Sequence, residues 1–223
     1  MTTATGRPRT RLSPEHRRAE IVTAAAEVAL REGLECITLR RVAAAVHVRP
    51  GLISHYFSEV DALVAAAFAH ATNGESQILF PADDTRSVDR RVVTLLDGVL
   101  SPDAADFSRL WMSARIVSRH NAALRAVVTA QEETNRHQLI QLIRAGVEGG
   151  TFACTTIERS ALLIFILLDA TTTYVNKDVT EVTDLVGTLL FDTTERELGV
   201  PAGTLRSLSA QLAPAGLAAT TSP

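Results

Sequence analysis

Pro50 constrains this chain more than any other residue. It has no amide hydrogen, which suits the first turn of a helix, and its ring disfavours a helical conformation at Arg49. Leu39, Val42, Ala43 and Val46 before it, and Leu52, Ile53 and Phe57 after it, recur at helical spacing. The stretch therefore predicts two short helices, 39–46 and 50–56, with 47–49 as a tight turn between them. Thr38 is placed to cap the first, with Arg40 and Arg41 outside its apolar stripe. Two such helices form a candidate helix-turn-helix, whose second helix enters the DNA major groove, although helix pairs of this size also occur in ordinary helical cores.

The flanking sequence is helical as well. Ser13-Pro14-Glu15 combines a capping hydroxyl, a proline suited to the first helical position and an acid at the positive dipole end. The helix it opens is predicted to run to about 32, with Gly33 taking the left-handed conformation that ends it. Ser58 and Asp61 resemble a capping box for a fourth helix reaching about 72, where Asn73-Gly74 stops it. Further helices are predicted at 87–100, 103–118, 121–148, 156–176 and 181–198, with Pro81, Pro102 and Pro201 as boundaries. Thr155 and Glu158 form a second capping-box pattern, ahead of a run, 161–168, that is apolar all round and fits a bundle centre or an interface. No segment alternates with period two, so the fold class is all-α with about nine helices. The Ala-, Ser-, Thr- and Pro-rich end from Pro201 reads as a mobile tail.

Composition narrows the function class. With 223 residues, 46% apolar and 21% charged, the chain is long enough for one large or two small domains and is neither disordered nor membranous by composition. No purely apolar stretch is longer than 161–168, far short of a membrane span, and no secretory leader is legible, so a cytoplasmic protein is expected. Cys36 and Cys154 lie far apart without a CxxC pair, which suits two small buried thiols in a reducing compartment and leaves one long-range disulfide open. The net charge of −3 hides an asymmetry: residues 1–60 hold nine arginines against six acids. That basic end is the candidate polyanion-binding end. The six histidines form no HExxH, the cysteines have no zinc-ligand spacing, and GxxxxGK[ST], GxGxxG and GxSxG are all missing, so no enzyme, metal or cofactor is expected.

Ile21 to Gly33, followed by the run from Thr38 through Arg49-Pro50-Gly51-Leu52-Ile53-Ser54-His55-Tyr56 to Phe57, resembles the DNA-binding domain of TetR-family transcriptional repressors over about residues 14–72. The Ile53 to Phe57 run resembles the BetI-like branch. The resemblance implies a homodimer with an N-terminal three-helix DNA-binding domain and a larger C-terminal helical domain for effector binding and dimerisation, repression being relieved by the effector. It divides the chain into a basic arm (1–13), the helix-turn-helix domain (14–57), a connecting helix (58–74), the ligand-binding and dimerisation domain (75–200) and the tail (201–223). Two positions depart from the family pattern: Ser54 stands for the usual Tyr, and Val60 for a Lys shortly after the Phe. The phosphate contact that such a Lys would make falls to Arg40, Arg41 or the arm.

Thr38 and Arg49 are expected to approach phosphates, together with Tyr56 and Arg40. Arg49, Gly51, Ser54 and His55 form the base-facing set, while Leu52, Ile53 and Phe57 turn toward the core. For His55 a plain solvated histidine is the competing reading. Arg7, Arg9 and Arg11 are placed to reach phosphate or the minor groove, or to form a solvated arm. In the C-terminal part, Phe107, Leu110, Trp111, Phe152, Phe165 and Tyr174 are candidate cavity walls or simple core. Asp169 breaks the apolar run and needs a partner, either Arg115 and Asn135 or a cationic ligand. The BetI-like resemblance points to choline or another quaternary ammonium, but with aromatics at 4% and Trp111 the sole tryptophan, an aromatic cage is thin and the effector stays unnamed. The last two long helices, around 161–174 and 182–190, are expected to pair with their symmetry mates, presenting two recognition helices to half-sites about one helical turn apart. A helical scaffold that does not bind DNA is the alternative.

Overall fold

Ser13 and Pro14 start a helix by local chemistry: the Ser13 hydroxyl accepts from the His16 amide at 3.2 Å. The computed structural model describes residues 13–175 and 180–212, so Arg7, Arg9 and Arg11 of the arm and the end of the tail lie outside the described residues. The first helix, α1, spans Pro14–Glu32. Gly33 ends it at φ 105°, ψ 156°, an extended positive-φ conformation open essentially to glycine alone, rather than in the left-handed helical well predicted. A single 3-10 turn (Leu34–Cys36) leads to α2 (Leu39–Ala45), capped by the Thr38 hydroxyl, which accepts from Arg41 N at 3.0 Å. Arg49 is extended (φ −78°, ψ 144°), as a residue before proline should be, and α3 follows at Pro50–Tyr56.

Then come α4 (Val60–Leu79), α5 (Val88–Leu100), α6 (Ala105–Val117), α7 (Ala122–Glu148), α8 (Ile157–Val175), α9 (Thr180–Leu198) and α10 (Thr204–Leu212). The described residues contain no strand. Three expectations are corrected. The start of α4 falls after Glu59 with no side-chain cap, so Ser58 sits one position outside the register a capping box requires. The same helix continues past Asn73-Gly74 to Leu79, because Gly74 faces open space while Thr72 and Ser76 are buried, and Ser76 donates to Gln138 of α7 at 3.0 Å. A tertiary bond and burial there outweigh the roughly 1 kcal/mol that glycine costs in a helix. Thr204–Leu212, expected within a mobile tail, forms α10 because the buried Glu195 carboxylate accepts from Gly203 N (2.6 Å), Leu205 N (2.8 Å) and Arg206 N (3.3 Å). Ser209 also donates to Asp97 of α5 at 2.8 Å, and Leu205 is fully buried.

Two cores result. The first joins Ile21, Val28, Val42, Ile53, Phe57 and Phe68 to Leu110, Trp111 and Leu124, so α6 and the start of α7 pack with the first four helices. The second gathers α5, the end of α7, α8, α9 and α10 around Val93, Leu96, Ile143, Ile164, Leu190 and Leu205. The apolar run 161–168 is not enclosed on all sides: Ala161, Ile164 and Leu168 are buried, but Leu162 and Ile166 are 48% and 53% exposed. On α9, Leu185 and Leu189 are likewise exposed. Cys154 is buried, whereas Cys36, expected to be buried, is half-exposed in the 3-10 turn after α1, its thiol donating to Glu32 O at 3.2 Å; both thiols are free.

Candidate nucleic-acid interface and ligand cavity

The turn between α2 and α3 is closed by backbone bonds from Val48 N to Ala43 O (2.9 Å) and His47 N to Ala44 O (3.3 Å). It takes His47 to φ 54°, the one positive φ outside glycine among the described residues. Ile53 and Phe57 anchor α3 in the first core, and Leu52 is half-buried. That anchoring turns Arg49, Gly51, Ser54 and His55 to solvent, and 51, 54 and 55 share one helical face. Nothing lies within 4 Å of where a Gly51 side chain would start, so a backbone or base edge can approach there. The Ser54 hydroxyl donates to Pro50 O at 3.3 Å, and the rings of His55 and Tyr56 meet edge-on at 5.4 Å, with Tyr56 half-buried against the core.

Thr38, Arg40 and Arg49 are exposed, and the two arginines make no ion pair among the described residues. Arg41 is different. Its guanidinium forks onto Glu32, with Nε at 3.0 and 3.1 Å from the two carboxylate oxygens, and the pairing holds the Glu32 carboxyl below its usual range. Of the basic groups expected to meet phosphate in place of a Lys at position 60, Arg41 is therefore already neutralised. Arg18 was not foreseen: from α1 its guanidinium lies 4.8 Å over the Phe57 ring, at the end of α3. The 39 positions that separate them hid that approach from the sequence pattern.

A second site lies among α4 to α8. A cavity of about 80 Å³ is lined by Trp111, Arg115, Asn135, Phe165 and Asp169, five of the nine candidates, together with Glu75 and Glu132. Phe107 lines an adjoining cavity of about 350 Å³, and the two share Glu75, Leu79, Val99 and Thr172 in their walls. Tyr174 lines neither and is 39% exposed. Five residues past Asp169 it has turned about 140° around the helix, whereas Thr172 stays on the inner side. Leu110 and Phe152 belong to the two cores instead, Phe152 lying against Gly146.

Asp169 finds its partner in the protein: Arg115 Nη2 lies 2.5 Å from its Oδ1 and 3.4 Å from Glu132 Oε1. Asn135 instead accepts from Gln131 at 3.0 Å. Sequence reasoning missed Glu75, since it follows the Asn73-Gly74 pair, where a helix end is predicted. Its Oε2 accepts from Trp111 Nε1 at 2.7 Å, and desolvation raises its pKa to about 7 against the opposing pull of that bond. Trp111 also meets Phe68 edge-on, centroids 5.0 Å apart, so one indole belongs both to the cavity wall and to the core beneath the helix-turn-helix.

Residues 21–67, which span α1 to the first part of α4, match the family model described as bacterial regulatory proteins, tetR family. These residues are therefore similar to the TetR-family helix-turn-helix domain. The TetR-like fold extends along the rest of the chain, as three solved structures indicate. A putative transcriptional regulator from Pseudomonas aeruginosa aligns at TM-score 0.68 and 23% identity, covering 89% of this chain and 96% of its own. A putative TetR-family regulator from Rhodococcus sp. aligns at TM-score 0.68 and 18% identity, over 82% and 99% of the two chains. A putative regulator from Saccharomonospora viridis, solved in complex with choline, aligns at TM-score 0.71 and 16% identity, over 82% and 98%. No curated protein matches the chain. The match over residues 21–67, set in a TetR-like fold, supports a DNA-binding regulator. No single helix among the described residues is long and apolar enough to cross a membrane.

Proposed function

We propose that this protein is a ligand-responsive transcriptional repressor that binds a palindromic operator in the cytoplasm as a homodimer and leaves it when an effector enters the cavity between α4 and α8. The observation that carries the reading is the exposed row Arg49, Gly51, Ser54 and His55 on a TetR-family recognition helix, with Trp111 linking that domain's core to the cavity. Arg49, Ser54 and His55 read base edges over Gly51, and Thr38, Arg40, Tyr56 and the arm residues Arg7 and Arg9 take phosphates. The BetI-like character of Ile53 to Phe57 and the division of the chain at 14 and 58 belong to the same proposal.

Dimerisation is supported by the outward apolar stripe of Leu162 and Ile166 on α8 and Leu185 and Leu189 on α9, which suits a four-helix bundle with a second copy. Release follows from population shift: α4 carries Glu75 in the cavity wall and Phe68 in the domain core, so an effector that favours another position of α4 or Trp111 favours another spacing of the two recognition helices. Selection of duplexes from a random pool, with a salt titration of the winner, tests the reading. A palindrome with half-sites about one turn apart and a steep salt dependence is expected. Weak binding that selects no sequence would sink it.

A further inference from the structure

The cavity proposed above as the effector site is unbalanced in charge, and the imbalance sits on one residue. Of its ionisable lining groups, Arg115 is the sole cation, and it is engaged with Asp169 at 2.5 Å and Glu132 at 3.4 Å. Glu75 receives none of that charge. Glu75 is half-buried, its only hydrogen bond among the described residues comes from Trp111 to Oε2, at 2.7 Å, and no described residue donates to Oε1. The cavity wall it belongs to is largely apolar, with Leu79, Val99 and Phe165, beside the polar Asn135 and Thr172. A carboxylate in such surroundings is costly to ionise unless a donor or a cation reaches it. Glu75 also lines both cavities, the small one and its larger neighbour of about 350 Å³, so a headgroup at Glu75 can extend a chain toward Ile78 and Phe107.

Resting on the effector-site reading, we propose that this cavity takes a protonated primary or secondary amine with an apolar body, whose ammonium donates an N–H to Glu75 Oε1. An acidic ligand would meet three carboxylates against one guanidinium that is already paired. A quaternary ammonium would bring charge without a donor. Trp111, its N–H held by Glu75 and its ring set edge-on to Phe68, is not free to turn and form a cage. The raised pKa of Glu75 fits the same picture: at about 7 it leaves the group roughly half protonated in neutral solution, and an arriving ammonium displaces that proton to the buffer. The other charged groups facing the site are Arg115 of α6, Glu132 of α7 and Asp169 of α8, while α5 contributes only Leu95 and Val99.

Calorimetric titration of the full chain with hexylammonium, hexan-1-ol, hexyltrimethylammonium and hexanoate tests this without DNA. Hexylammonium is expected to bind at least about tenfold tighter than any of the other three, the worth of one charge-assisted hydrogen bond. In wild type near the Glu75 pKa of about 7, repeating the titration in buffers of different ionisation enthalpy should reveal proton release. Glu75→Gln, checked for folding by its circular dichroism melt, should abolish both the proton release and the preference for hexylammonium over hexan-1-ol. Equal binding of the alcohol and the ammonium, preference for the quaternary ion or the carboxylate, or a preference that survives Glu75→Gln would overturn the proposal. An amine that binds with this selectivity yet leaves operator affinity unchanged would count against the effector reading alone.

Discussion

Glu75 shows how one side chain ties stability to pH. Its folded-state pKa of about 7 stands above the ordinary carboxylate value of 4.5, so the folded protein holds that proton more tightly than the unfolded chain does. The resulting destabilisation is absent below about 4.5, grows as pH rises between the two values and is complete above about 7. Glu75→Gln should therefore flatten the pH dependence of stability, gaining on the order of 2–3 kcal/mol relative to wild type between acid and mildly alkaline solution. Urea melts at the two pH extremes measure it, and a parallel offset at both would refute it. On the DNA side, Arg49 is exposed with no ion pair among the described residues, so Arg49→Ala removes only what it gives to DNA. A loss of about 1–3 kcal/mol in operator binding is expected by fluorescence anisotropy, with the dimer and the melting temperature unchanged. Unchanged affinity would remove Arg49 from the reading surface.

Among the elements, the join between α7 and α8 is the most exacting. A side-chain carbon at Gly146 would lie 2.0 Å from the Phe152 ring, and that ring is buried in the second core. Helix propensity favours Gly146→Ala by about 1 kcal/mol, but displacing a packed aromatic costs about 1–3 kcal/mol or more, and at so short a distance overpacking prevails. The variant should lose about 2 kcal/mol net and melt roughly 4–8 °C lower. Calorimetry decides it, and a rise in melting temperature would mean that Phe152 moves aside freely. Helix starts at Ser13, Thr38 and Asn121 were legible because a cap and its partner lie three residues apart. The last turns of α4 were not legible, since Ser76 and its partner Gln138 are 62 positions apart.

For the whole molecule, the exposed stripe of Leu162, Ile166, Leu185 and Leu189 is the feature a single chain leaves incomplete. Ile166→Glu places a charge in that stripe. If α8 and α9 form the dimer, burying it unpaired should raise the dimer dissociation constant by more than about a hundredfold. Sedimentation equilibrium would show monomers, and operator binding would fall with them while the helical circular dichroism signal is kept. A variant that stays dimeric would place the interface elsewhere. The two cores also decide how a cavity can act on DNA binding, for Trp111 belongs to the core of the helix-turn-helix although it lies well after that segment in the chain.

Local chemistry was sufficient for the all-helical class, most helix starts, the turn before Pro50, the burial of Ile53 and Phe57, and the outward face of α3. Each depends on residues within a few positions of one another, where backbone geometry limits the outcomes. The Arg41–Glu32 pair, the pairing of Asp169 with Arg115, the placing of Glu75 beside Trp111 and the folding of α10 onto Glu195 depended on packing. A buried or paired charge takes whichever partner the assembled helices bring within about 3 Å, and helical periodicity sets which face a residue occupies without setting which helix will lie against it.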